Sequence, residues 1–387
     1  MDEVERYAWI QLALTPYIGA ESFLMLLKRY GTAVRALAAP ADEVRELIYH
    51  KQAAESWRGN DTKAKEAAEA AMLWEKQPGC RLMLLGDEDY PMMLTEGITP
   101  PPLLFVRGHA ALLQNPSVAV VGSRHATPQA MRIARDFGRA MAEQGIAVVS
   151  GMAAGIDTAA HEGALQGKGG TVAVWGTGID RIYPQSNKNL AYQIAEQGVI
   201  ISEFPLGTRP LAGNFPRRNR LIAALSKATL VVEAAVESGS LITAKLAAEM
   251  GREVMAVPGS IDNPHSKGCH KLIKEGAKLV ECLEDIVQEC PQLLQKSPMP
   301  SYPINKTHKI AGESVDGNSK AENSAAELFE QTQSNPLLAA MGYNPVHPDN
   351  LAQQLGMAAA DVHAQLLEWE LDGVVAAMPG GRYQRIQ

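Results

Sequence analysis

The chain has 387 residues with 36 Lys+Arg against 43 Asp+Glu, a formal charge of −7, enough for two or three domains and a substantial core. The acidic start MDEVERYAWI has no basic n-region, and no apolar run approaches a membrane span, so neither a secretory signal nor a membrane anchor is expected. Cys80, Cys269, Cys282 and Cys290 lack CxxC spacing or paired histidines, which predicts free thiols in a reducing cytoplasm and no metal site.

Residues 1–78 read as a small helical domain. Tyr17-Ile18-Gly19-Ala20 marks a turn between two helices, and a plain helical bundle competes there with helix-hairpin-helix and SAM-type domains. The Ala- and Glu-rich stretch Lys63–Lys76 is expected to form a solvated helix.

From Cys80 the pattern changes, and residues 79–290 read as an α/β domain. Leu82–Leu85 and Leu103–Val106 are expected as strands at an edge of its sheet. Ser117–Val121 is a strand buried on both faces, closed by Gly122-Ser123-Arg124. A helix follows, with Thr127 as cap and Pro128 at its first position. Strand, glycine turn and helix aim backbone N–H groups at an anion, and Arg124 adds a bidentate phosphate donor. A tight turn beside a solvated charge explains the same residues, and the turn alone leaves both readings open. The theme recurs at Ile146–Gly155, Thr171–Gly178, Val199–Glu203, Thr229–Ser240 and Val254–Gly259. Strands alternating with helices predict a doubly wound parallel sheet with its crevice at the strands' carboxyl ends.

Asn214–Ile222 (NFPRRNRLI) gathers Arg217, Arg218 and Arg220 at a helix start, where phosphate contact is the natural use. Phe215 either stacks a base or anchors the loop. Asp157 is expected to cap its helix and His161 to be a structural histidine. Trp175 and Phe204 read as wall or core residues. Gly176-Thr177-Gly178 has Arg181 where a dinucleotide fingerprint needs glycine, and Ser238–Thr243 lacks the P-loop lysine. No catalytic constellation and no cofactor motif emerges.

Residues 291–324 read as a linker, and 325–387 as three helices (325–333, 348–355, 358–371) with a hairpin, a winged helix. Its third helix offers Asp361, Glu368, Glu370 and Asp372 without Lys or Arg, which favours protein contact over groove reading. Charge is uneven: 12 basic against 16 acidic residues in 1–110, 18 against 17 in 111–290, and 6 against 10 in 291–387. A local basic patch in the sheet domain suffices for a polyanion.

VVGSR, SGMAAGID with His161, WGTGID, ISEFPLG, NFPRRNR, ESGSLITA, GREVMAVPGS and GCHKLIKEGA occur in this order. Together they resemble the DprA/Smf family of bacterial DNA-processing proteins, densely from Tyr90 to Val280. The resemblance implies an extended Rossmann-like domain between a SAM-like start and a winged-helix tail. It further implies a cytoplasmic homodimer without enzymatic activity that binds single-stranded DNA, protects it in natural transformation and loads the recombinase RecA. The DNA-binding set expected on these motifs is Gly122, Ser123, Arg124, Thr127, Gly151, Asn214, Phe215, Arg217, Arg218, Asn219, Arg220, Ser238, Gly239, Ser240 and Lys267. Backbone N–H groups of Gly122, Gly151 and Gly239 are expected to assist, and the dimer contact is expected around Ile273–Val280. Thr127 replaces the usual serine of GSRxxS and keeps the hydroxyl. The rival is an enzyme resembling lysine-decarboxylase-like phosphoribohydrolases, whose PGGxGT turn and catalytic Glu correspond here to Ser238–Thr243 with no Glu before Glu249.

Overall fold

The computed structural model describes residues 1–48, 57, 62–294, 336–341, 345–371, 374–378 and 380–385. Two compact units arise, Met1–Ala126 with Ile133–Gln295, and Thr127–Arg132 with Lys296–Gln387.

The first unit is organised around β3 (Ser117–Val121), all five of whose residues are buried. Its β-branched run suits a position with sheet on both sides. β3 pairs in parallel with β4 (Ala147–Ser150) and with β7 (Ala228–Val231), setting Val118 opposite Val148 and Ala228. β5 (Thr171–Val174) and β6 (Val199–Ser202) extend the sheet one way, β8 (Glu253–Ala256) and β9 (Lys278–Leu279) the other, all in parallel. β1 (Cys80–Leu84) and β2 (Leu103–Gly108) add an antiparallel pair beyond β6, giving the order β1-β2-β6-β5-β4-β3-β7-β8-β9. Succession reverses between β3 and β7, so the switch-point crevice opens at their carboxyl ends. There the two turns are stitched together: Ser123 N–H donates to the Glu233 carbonyl at 2.7 Å. A Cβ on Gly122 would stand 2.5 Å from Ile156 Cγ1 and 2.8 Å from that carbonyl, so this position requires glycine.

Helices Glu3–Ala13 and Ala20–Tyr30 meet through Tyr17, whose φ is +66°, with Ile18 buried beneath the turn. Glu5 accepts N–H bonds from Ala33 and Val34, satisfying the start of the next helix. The helix Thr62–Glu75 is not solvated as its composition suggests. Ala64, Ala68, Ala71 and Trp74 are buried, and Trp74 meets Phe105 edge to face at 5.5 Å. Alanines at i, i+4 and i+7 form a flat stripe that lets the helix approach the sheet closely, which explains the difference.

In the second unit, helices Pro336–Met341, Pro348–Leu355 and Ala359–Leu371 and the hairpin of β10 (Val375–Met378) and β11 (Arg382–Arg385) form the winged helix around Leu338, Leu351, Val362 and Leu366. Gly356 ends its helix at φ +64°, as a left-handed cap. The expected helix at 325–333 and most of the expected linker lie outside the described residues; Pro291–Leu294 is a 3-10 turn with Leu293 buried. All four cysteines are free. Among the described residues no helix is long and apolar enough to cross a membrane.

Candidate nucleic-acid interface

A cavity of about 220 Å³ lies over the carboxyl ends of β3, β4 and β5. Each wall comes from the turn after a strand: Arg124 after β3, Gly151 after β4, Trp175 and Gly176 after β5. The helix Asn214–Ala224 closes it with Phe215 and Arg218, and Tyr183 joins them. The Arg124 guanidinium lies 5.5 Å from the Phe215 ring centroid, and the Tyr183 ring stands 5.5 Å from the same ring at 39°. Phe215 rests on Gly176, where a Cβ would come within 3.0 Å of its ring. The aromatic ring is therefore both an anchor on the β5 turn and a wall of the cavity.

The other two-thirds of the arginine cluster behaves differently from the expectation. Arg217 and Arg220 both turn to Glu203, whose side chain is only 4% exposed, at 3.4 and 2.5 Å. Arg220 also donates to the Thr99 carbonyl. A buried carboxylate needs such partners, so these two guanidiniums compensate a charge inside the protein before they meet any phosphate. Arg217 remains half exposed beside Phe204, 5.2 Å from its ring.

Arg218 is buried at the cavity floor. Its Nη1 donates to the Gly151 and Val174 carbonyls, and its Nε to Asn219 Oδ1. Burial lowers its pKa to about 10, against the opposing pull of Asp157, and it remains a cation at neutral pH. Asp157 is not the helix cap, which is Gly155; its carboxylate reaches back to the Gly151 and Ala153 N–H groups at 3.1 and 3.2 Å. Burial raises the Asp157 pKa, while Arg218 and those N–H groups counter it. The Gly151 N–H is thereby committed inside the protein and is not the free anion donor expected from the turn.

Thr127 Oγ1 accepts from the Ala130 N–H at 3.2 Å, as a cap should. Ser123 accepts from the His125 N–H through its hydroxyl, and Asn214 reaches the Arg209 carbonyl. Ser238, Gly239, Ser240 and Lys267 do not line this cavity. Ser238 and Ser240 share a hydrogen bond at 2.7 Å at the start of the Ser240–Glu249 helix, and Lys267 Nζ donates to the Ile261 carbonyl. Eight lining residues lie outside the expected DNA-binding set, and among them Tyr183, Trp175 and His125 bring aromatic or imidazole rings to the cavity. Tyr183 follows WGTGID by only a few residues, and an aromatic in a glycine-rich strand-end loop was the available signal.

The family model described as DNA recombination-mediator protein A matches residues 81–291. Protein Smf of Escherichia coli is 41% identical over 324 residues, covering 84% of this chain and 82% of that protein. The chain belongs to the DprA/Smf family. DprA models also match its two ends: a DprA-like N-terminal HHH domain at 3–45 and a DprA winged helix domain at 319–381. Among DprA proteins, the DNA processing protein of Streptococcus pneumoniae is 47% identical over 203 residues, covering 52% of this chain and 72% of the relative. The X-ray structure of DprA from Streptococcus pneumoniae superposes with a TM-score of 0.61 at 37% identity, covering 72% of this chain and 95% of that one.

Proposed function

We propose that this chain binds single-stranded DNA through the cavity at the ends of β3, β4 and β5, and delivers the strand to the recombinase RecA. One observation carries the binding. Arg124 is a cation with no carboxylate partner among the described residues, set over an aromatic ring at the cavity wall. A guanidinium beside Phe215 and Tyr183 offers a phosphate donor and base-stacking surfaces within one nucleotide's reach. Duplex bases, stacked inside their helix, cannot reach those rings. Phosphate and stacking contacts also carry little base identity, so sequence preference should be weak. Membership of a family described as recombination mediators supports this use of the site.

The test is a titration of labelled single-stranded and duplex oligonucleotides over a salt series. The single strand should bind tighter, and Arg124→Ala should reduce the logarithmic salt slope by roughly 0.7, the value for one lost phosphate contact. Its urea midpoint should match the wild type. Equal affinity for duplex and single strand would sink the proposal.

Delivery to RecA follows from the family resemblance, and from a Ser238–Thr243 turn without the P-loop lysine that an ATP-driven strand exchanger needs. RecA should displace a single-strand-coating protein faster when this protein is present; an unchanged rate removes the role. We also propose a homodimer through the edge around β9, where Leu279 is 40% exposed. The protein acts as a binder rather than an enzyme in this reading. For the phosphoribohydrolase alternative, Glu249 lies at the far end of its helix, about 14 Å along the axis from the Ser240 turn. Free base released from nucleoside monophosphates would nonetheless establish that alternative.

A further inference from the structure

Gly151 is held from both sides. Its N–H donates to Asp157 Oδ2, the oxygen that also takes the Ala153 N–H, while its carbonyl accepts from Arg218 Nη1. A Cβ at 151 would lie 2.5 to 2.6 Å from three atoms of that guanidinium, so any larger residue there would displace Arg218. Arg218 spends Nη1 on two carbonyls and Nε on Asn219. Its Nη2 has no hydrogen-bond partner among the described residues, and it is not one of the buried nitrogens sealed away without one. That nitrogen is therefore what Arg218 can offer to a ligand in the cavity.

We propose that Asp157 is the positioning residue for Arg218: it fixes the Gly151 peptide, and that peptide fixes the guanidinium with Nη2 open to the cavity. The inference rests on reading the cavity as the seat of the DNA strand. Asp157 itself is 6% exposed and does not line the cavity, so it acts through Gly151 and Arg218 and not on the strand. A carboxylate suits the task because one oxygen can accept two N–H groups, and its charge compensates a cation buried to 4% exposure. Removing it leaves two backbone donors unpaired and the Gly151 carbonyl free to swing away from Arg218. The consequence is a misplaced phosphate donor in a protein whose sheet is otherwise intact.

The experiment measures binding of a fluorescein-labelled oligothymidylate to the full chain over a salt series. The variants are Arg124→Ala, Arg218→Ala, Asp157→Ala, Asp157→Asn and the Asp157→Ala/Arg218→Ala double. Asp157→Ala should weaken binding about tenfold, the scale of one charge-assisted hydrogen bond, and lower the salt slope as much as Arg218→Ala does. The double variant should bind no worse than Arg218→Ala alone, because the two residues act as one unit. Asp157→Asn keeps an acceptor oxygen for the loop and should recover part of the loss. Multiplicative losses in the double variant would overturn the inference, as would wild-type binding by Asp157→Ala when Arg124→Ala is impaired. If Asp157→Ala does not fold, Asp157→Asn decides, and an unchanged salt slope there overturns the inference. Wild-type binding by both arginine variants would instead mean that the strand does not use this cavity, and the functional reading would fall together with the inference.

Discussion

His161 is fully buried, with Nδ1 2.7 Å from the Thr171 hydroxyl. Thr171 spends its own proton on the Val148 carbonyl, so Nδ1 must carry the hydrogen and donate it. Nε2 is then a bare acceptor, with no partner among the described residues. Burial, with help from the Arg218 charge, pushes the imidazole pKa from 6.5 down to about 3. The folded protein therefore refuses a proton that the unfolded chain accepts. Between pH 6.5 and about 3 the unfolded state binds more protons, so stability falls as pH falls through that window. One such group contributes at most about 1.4 kcal/mol per pH unit. Urea melts at pH 7.5 and 5.5 should show the wild type losing more stability on acidification than His161→Gln; parallel losses would show that this histidine does not drive the change. The sequence marks His161 as a structural histidine four residues after Asp157. It does not reveal that Nδ1 finds Thr171 on β5, because that hydroxyl arrives through strand pairing.

Helices carry a second lesson. A Cβ on Gly163 would stand 2.0 Å from the Arg135 carbonyl oxygen, and one on Gly138 2.4 Å from that of Ala160. The helices Pro128–Glu143 and Ile156–Ala164 thus cross backbone to backbone at these two glycines. Glycine inside a helix reads from sequence as a local weakness. In the fold it is what permits the crossing. Gly163→Ala should lower stability by about 2 kcal/mol in urea denaturation, the cost of forcing atoms into a closed contact. Single-strand affinity of the folded variant should match the wild type. An unchanged midpoint would mean that the helices can separate freely. The Thr62–Glu75 helix teaches the same from the opposite direction, since its alanines look solvated until the sheet supplies their partner.

On the scale of the molecule, charge divides the labour. The winged helix presents Asp361, Glu368 and Glu370 on the helix Ala359–Leu371, without Lys or Arg there. Carboxylates near phosphate repel it, so this surface should add nothing to strand binding. The wing arginines Arg382 and Arg385 are the opposing argument, two cations in a segment with 10 acids. A chain ending at Gln295, which retains the buried Leu293, should bind a long single strand within about twofold of the full chain. Light scattering on the same truncated protein should still report a dimer. Tenfold weaker binding by a folded, dimeric truncation would show that the tail does contact DNA.

What the sequence determined by itself was everything that depends on neighbours along the chain. The β-branched runs closed by glycine marked strands and their carboxyl-end turns, Thr127-Pro128 marked a helix start, and spaced motifs marked the family. Arg124 and Phe215, which line the cavity, were legible as candidates because each sits in such a local signal. Only the tertiary structure decided which cations are free. Arg217, Arg218 and Arg220 look alike in NFPRRNR, yet Glu203 takes the first and last while Gly151 and Val174 hold the middle one. Those partners lie on other strand ends, from 14 to 67 residues away. The physical reason is desolvation: a buried charge must be paired, and which charges are buried depends on how the sheet brings its turns together.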